Sequence, residues 1–453
     1  MKKTAIVSCY FQHNYGSMLQ AYATQMALDK LGYENETIDI LGFNGEIKKA
    51  KLLYFAKASL TSDILLSKLG MARNVLIKKF SNNQYAQLSK VRAEKFDEFS
   101  RKQFRLSPKY DSKAELGRKC KDNYSSVLVG SDQLWLPGNI AADYYTLNFV
   151  PETVNSIAYA TSFGQSSLPK DSTKKAEVFL KKIKHIGVRE ESGQKLVKEI
   201  ANRDVPVVCD PTLLFTGDEW MAIQQKEPIV KGKYILCYFL GNNPPHREFA
   251  KRLKEATGCK IIALTHLDEF VKSDEGYADE TPYDIDPADF LNLIRNAEYV
   301  CTDSFHCSVF SILYKRQFFT FRRYNRNTKQ STNSRLDTLF HMAGITGRLL
   351  TGEENIADCL KIFNAIKDDF SYIEIAPEAA VAGAKEMKES VAPNEKRESF
   401  FKDANRMSGE ELFNKYFPET FKVKAEHSIR LACYKLGIYS VAKKLYVRLT
   451  HKY

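Results

Sequence analysis

With 453 residues, 44% of them apolar and 27% charged, the chain has material for two or three globular domains and excludes a disordered or fibrous class. No apolar run approaches the roughly 20 residues that cross a bilayer, and Ala5-Ile-Val-Ser-Cys-Tyr10 is too short and too soon broken for a signal peptide; a cytoplasmic location is expected. The net charge of +12 is concentrated: residues 48–105 hold 14 Lys/Arg against 4 Asp/Glu, and 421–453 hold 8 against 1, so two basic segments call for partners in an otherwise mildly acidic chain.

In chain order, a strand over 4–10, a loop Phe11-Gln-His-Asn-Tyr-Gly16, an amphipathic helix over 17–31 closed by Gly32 and a strand over 36–41 open a parallel α/β sheet. The loop lies at the carboxyl end of the sheet, where such folds bind ligands. Its single glycine does not match a dinucleotide fingerprint. Residues 48–105 are basic, helical in pattern and poor in glycine and proline, and are expected to form an inserted helical hairpin. A strand then leads into Gly130-Ser-Asp-Gln-Leu-Trp135, with further short strands at 156–160 and 185–188 around a helix over 172–183. Arg189 follows the second directly, and 205–212 reads as the closing strand of the first domain.

A second alternating set follows: strands over 233–240, 259–265, 299–302 and 317–321, and helices over 247–257, 287–296, 305–313 and 335–343. From about residue 376 the chain is rich in Ala, Glu and Lys, and 426–453 is a basic amphipathic segment broken near Gly437. The predicted organisation is α/β, with two doubly wound Rossmann-like domains facing across a cleft. The first spans 1–210 with the insertion 48–105, the second 211–375, and a helical extension covers 376–453.

Candidate chemistry centres on Tyr299-Val-Cys-Thr-Asp-Ser-Phe-His306. Asp303 and Ser304 sit where a strand passes into a helix and can cap it, which puts His306 in the first turn. A helix start attracts anions and disfavours a protonated imidazole, so His306 could act as a base beside a bound phosphate or carboxylate. Read alone, the stretch is more simply a capped helix with a packed histidine. Three other loops should gather with it: His13-Asn14-Tyr-Gly16, Ser131-Asp132-Gln133 with Trp135, and Arg189-Glu-Glu-Ser192. Arg189 offers a fork for a carboxylate or phosphate, or else an ion pair with a neighbouring glutamate. Trp135 is either a stacking platform for a sugar or core; Asp132 either orients a histidine or hydroxyl, or bonds backbone N–H groups.

The nine cysteines are an odd number with no CxxC pair and read as reduced, structural thiols. Cys301, His306 and Cys307 lack a second cluster of matching spacing, so neither metal nor cofactor is expected. The basic segments match no nucleic-acid-binding module, and no nucleic acid is expected as a partner.

Five motifs in order, Asn14-Tyr-Gly-Ser-Met-Leu-Gln-Ala-Tyr22, Val129-Gly-Ser-Asp-Gln-Leu-Trp135, Gly187-Val-Arg-Glu-Glu-Ser192, Cys209-Asp-Pro-Thr212 and Thr302-Asp-Ser-Phe-His306, resemble the polysaccharide pyruvyl transferase family from about residue 4 to about residue 345. The resemblance implies a two-domain, GT-B-like fold, phosphoenolpyruvate as donor, and a sugar of a cell-surface polysaccharide as acceptor. On that reading His306 is the catalytic histidine, with Asp303 beside it, and Arg189 is the arginine after the short strand. Ser304 stands where members carry an arginine, and Arg322, Arg323, Arg326 or Arg335 could replace it from the adjoining loop. The basic segments would then suit a polyprenyl-phosphate-linked acceptor at the inner face of the membrane. A GT-B-type glycosyltransferase using a nucleotide sugar and a non-catalytic polysaccharide-assembly protein are the alternatives.

Overall fold

Short apolar strands alternating with helices build two parallel sheets in the computed structural model, which describes residues 2–58, 84–265, 271–323, 334–345, 348–360 and 375–391. The chain forms two compact units, 1–391 and 392–453. The second lies outside the described residues, as do 59–83 of the insertion and Arg326.

The first lobe contains β1 (Lys3–Val7), α1 (Tyr15–Lys30), β2 (Asn35–Thr37), α2 (Asn44–Ala58), α3 (Gln84–Gln103) and α4 (Lys113–Asn123). It continues through β3 (Tyr124–Val129), α5 (Pro137–Ala142), β4 (Asn155–Thr161), α6 (Lys170–Lys182), β5 (His185–Val188) and α7 (Glu191–Ala201). The second lobe runs through α8 (Gly217–Trp220), β6 (Tyr234–Tyr238), α9 (Pro244–Thr257), β7 (Lys260–Ala263) and α10 (Pro287–Asn296). It ends with β8 (Tyr299–Thr302), α11 (Phe305–Leu313), β9 (Gln317–Phe321), α12 (Ser334–Met342) and β10 (Leu349–Leu350). The strand orders are β2-β1-β3-β4-β5 and β10-β9-β8-β6-β7, and every pair is parallel. Both are doubly wound sheets, with central strands such as Tyr-Ile-Leu-Cys-Tyr of β6 buried along their whole length because helices cover both faces.

Two sequence expectations change. Residues 205–212 do not form a closing strand: only Val207 bridges to Val188, and the chain turns at Pro211 into a 3₁₀ turn, Pro211–Leu214, that Asp210 caps. Pro206 has no N–H to extend a ladder. The helix α13 (Ile375–Val391) is not separate from the first lobe. Its Ser390 carbonyl accepts a bond from Asn155 Nδ2, and Gly383 lies so close to Tyr159 and Cys209 that a Cβ there would clash.

The lobes are joined by more than the linker. Tyr15 of α1 stacks on Phe290 of α10 with ring centroids 4.4 Å apart and donates to the Ile285 carbonyl. Arg92 of α3 is buried and donates to the carbonyls of Thr265 and Pro282. The described half of the basic insertion thus places one of its charges inside the molecule as a tie between lobes.

Candidate functional site

The carboxyl ends of β1, β3 and β8 meet around a cavity of about 360 Å³. On the first lobe, Asn14 caps α1 by accepting from the Ser17 amide. On the second, Ser304 caps α11 by accepting from the Cys307 amide. The two helix starts face each other so closely that a Cβ on Gly16 would lie 2.1 Å from His306 Nδ1. Only a residue without a side chain lets the imidazole sit there, and the glycine is needed for space rather than for its backbone angles.

His306 is 6% exposed and still borders the cavity. Its Nε2 lies 3.4 Å from Asp210 Oδ2 and makes no hydrogen bond within the limits of good geometry. The same Asp210 oxygen accepts from Ser131 Oγ at 2.6 Å and Arg189 Nη1 at 2.7 Å. Asp210 Oδ1 holds Thr212 through its amide and hydroxyl. Burial would push the Asp210 carboxyl up, but His306, Arg189 and Ser131 outweigh it and hold the group far below the usual carboxylate range.

Asp132 adopts a left-handed φ of 81° directly after β3, a conformation an aspartate tolerates. Its Oδ1 accepts from the Gln133 amide and its Oδ2 from Ser17 Oγ at 2.6 Å. Burial again opposes ionisation, and Arg189, then His306 and Ser17, overcome it, so the Asp132 carboxyl is held low. Arg335 of α12 enters from the second lobe. Its guanidinium carbon lies 5.9 Å from the centre of the Phe305 ring, and burial followed by repulsion from Arg189 pushes its pKa down to about 10, which leaves it charged at neutral pH.

Of the residues singled out in the sequence, Asn14, Asp132, Gln133, Ser304, His306 and Arg335 line this cavity, and Gly16 packs against its histidine. Others do not. Arg189 is 1% exposed; its fork is directed at Asp210, with Asp132 at 3.7 Å and Glu190 at 3.9 Å, and Phe305 covers it at 4.6 Å. It stands behind the histidine rather than open to a ligand. Ser131 is buried beneath it. Asp303 accepts from the amides of Leu240 and Gly241 at 2.6 and 2.8 Å, so its carboxylate anchors the loop after β6 and does not reach His306. Trp135 is buried against Phe163 and Phe179 and donates to the Tyr145 carbonyl; it is core, not a sugar platform. His13 pairs with Asp97 at 2.8 Å and stacks on Phe96, away from the cavity lining. Arg322 pairs with Asp337.

Several lining or supporting residues were not identified from sequence. Asp210 belongs to the motif Cys209-Asp-Pro-Thr212, where the sequence suggests only the end of a strand. Arg323, by contrast, is one of the arginines the sequence offers in place of Ser304, and it lines the cavity and donates to the Asp303 carbonyl. Lys51 and Phe55 come from α2, inside the segment expected to be an inserted helical hairpin. Among the described residues no group of His, Cys, Asp and Glu could hold a metal ion.

A model of the polysaccharide pyruvyl transferase family matches residues 14–324, a span that holds Lys51, Asp132, Asp210 and His306. No protein of curated function matches the chain. Among solved structures, the UDP-GlcNAc 2-epimerase of Neisseria meningitidis bound to UDP-GlcNAc is similar, with 11% identity, 86% of this chain and 99% of that chain covered, and a TM-score of 0.45. The corresponding Methanocaldococcus jannaschii epimerase in complex with UDP-GlcNAc and UDP shows 16% identity, coverage of 81% and 92%, and a TM-score of 0.41. An E. coli heptosyltransferase with ADP-2-deoxy-2-fluoro heptose shows 12% identity, coverage of 81% and 99%, and a TM-score of 0.34.

Proposed function

The chain belongs to the polysaccharide pyruvyl transferase family, and from that premise we propose that it moves the pyruvyl group of phosphoenolpyruvate onto a sugar of a cell-surface polysaccharide or its lipid-linked precursor, forming a ketal. One observation carries the reading. The starts of α1 and α11, together with Lys51, Arg323 and Arg335, converge on the cavity that His306 borders. Helix starts and cations of this kind favour a ligand with more than one oxyanion, and phosphoenolpyruvate carries a carboxylate and a phosphate.

The reaction then runs as follows. The methylene carbon of the donor takes a proton, the former C2 becomes electrophilic, and one acceptor hydroxyl adds to it. Phosphate leaves with its bridging oxygen, and a second hydroxyl of the same sugar adds to complete the ketal. Of the two hydroxyl protons, one balances the proton on the new methyl group and the other leaves with phosphate. His306 carries these protons at the imidazole. Asp210, held ionised at its Nε2, stabilises the ring when it is charged, and Arg189 and Ser131 fix the orientation of that carboxylate. Asp132, Gln133 and Asn14 supply acceptors and donors for sugar hydroxyls, while the helix starts and cations stabilise the charge gathering on phosphate.

Phosphate release from phosphoenolpyruvate that depends on a member of a lipid-linked sugar panel is the expected result. Saturation by a nucleotide sugar, with no binding of phosphoenolpyruvate, would overturn the donor assignment. Gly16→Ala should reduce turnover by roughly 10²-fold, the scale of a 1 Å misplacement of a catalytic group, because the added methyl must displace the imidazole. Near-normal turnover with an unchanged melting curve would show that the histidine's seat does not matter.

Among the described residues no helix is long and apolar enough to cross a membrane. A cytoplasmic protein in peripheral contact with the membrane suits a polyprenyl-phosphate-linked acceptor, and the basic segments support that arrangement. Sedimentation with anionic vesicles no greater than with neutral ones would end that part of the reading.

A further inference from the structure

The helix α2 belongs to the stretch of chain between β2 and β3, yet one of its edges reaches the reaction cavity. Phe55 is wedged against α5, where a Cβ on Gly138 would lie 3.0 Å from the Phe55 ring. Lys51, one turn earlier on the same edge, lines the cavity together with Cys9, Asp132 and Gln133. Its side chain is half-buried. Lys30, Lys119, Lys181 and Lys254 each have a carboxylate within ion-pair distance. Among the described residues Lys51 has no such carboxylate and no hydrogen-bond acceptor. Burial therefore pushes its pKa below the ordinary lysine value, and only the Cys9 thiol acts the other way.

A half-buried ammonium without a counter-charge lowers the stability of the fold, and a cleft is where such a cost is offset by a ligand. The other cavity cations enter from the opposite lobe: Arg323 from the end of β9 and Arg335 from α12. Cationic groups from both lobes thus line the same space as Asp132 and His306. This arrangement complements a small molecule with two oxyanionic ends better than one with a single charge.

We propose that Lys51 is a substrate-binding residue that contacts one oxyanion of the donor, its carboxylate or its phosphate, and so makes α2 a working wall of the site. The inference rests on the pyruvyl-transfer reading above and deepens it. The competing account is an amphipathic side chain that lays its stem along Phe55 and turns its ammonium to water.

Lys51→Met in the full chain keeps the stem's volume and removes the charge. Calorimetric titration with phosphoenolpyruvate, inorganic phosphate and pyruvate separates the two ends of the donor. The expected result is binding of phosphoenolpyruvate weakened about tenfold or more, as for loss of a charge-assisted contact. A matching loss for inorganic phosphate assigns Lys51 to the phosphate end, and one for pyruvate assigns it to the carboxylate end. The thermal midpoint should rise by about 1–3 °C in the absence of ligand, a gain that the solvated-lysine account does not give. In turnover, kcat/KM for the donor should fall by about the same factor as its affinity.

If the wild type binds inorganic phosphate and this is lost in Lys51→Met, while neither protein binds phosphoenolpyruvate, the anion contact stands and the donor assignment falls. Unchanged affinity for all three probes in Lys51→Met, or a wild type that binds none of them, overturns the proposal.

Discussion

Replacing His306 with alanine is expected to lower acceptor-dependent phosphate release by about 10²–10⁴-fold, the usual range for removing a general acid–base, while the protein stays folded. Asp210 loses the imidazole 3.4 Å away but keeps its bonds from Arg189 and Ser131, so its charge remains compensated. The hole left behind opens onto a cavity that already exists, and solvent can fill it. The loss should therefore appear in kcat, with donor affinity in calorimetry changed little, since the cations and helix starts remain. A variant turning over at close to the wild-type rate would remove His306 from the chemistry, and one that unfolds would leave it no more than a packing residue.

The largest loss of stability should come from Arg189→Ala. The guanidinium sits 1% exposed among Asp132, Glu190 and Asp210, all within 4 Å of its nitrogens. Removing one partner from a buried ionic set leaves uncompensated charge and costs about 3–5 kcal/mol; denaturant unfolding at neutral pH would measure it. The sign of the pH dependence should change as well. In the wild type, Asp132 and Asp210 are held below their ordinary values. Their contribution is present above the unfolded carboxyl pKa of about 3.9 and is lost as pH falls through the depressed folded values. Without Arg189, the Asp132 carboxyl loses the largest influence that holds it low, burial raises it, and the folded state binds more protons than the unfolded one. Stability of the variant should then fall as pH rises from about 5 to about 8. A variant whose stability matches the wild type across that range would show that the buried charge set is not what Arg189 holds together.

The alternation of strands and helices was legible because burial leaves period and composition in the chain: β6, β8 and β9 appear within a few residues of where their apolar runs place them. The junction of β8 and α11 was legible for the same reason, since Ser304 is a chemically recognisable cap. What could not be read was the direction in which side chains point once distant loops meet. Arg189 and Trp135 were sensible candidates by type and position, and nothing local says that three carboxylates surround one, or that Phe163 and Phe179 enclose the other. Asp303 and Asp210 illustrate this most clearly. Both follow short apolar runs, yet one satisfies the amides of Leu240 and Gly241 while the other stands by the imidazole. Their separate fates depend on a fold that brings residue 210 to residue 306.

The meeting of Gly16 and His306 bears on how such proteins can be recombined. A chimera that joins the front half of one homologue to the back half of another keeps each sheet intact, yet it pairs a ring from one parent with a floor from the other. Grafts that carry both positions from a single parent should preserve catalysis, and those that split them across a bulkier floor should give well-folded but silent hybrids. The unit of exchange is the seam, not the lobe.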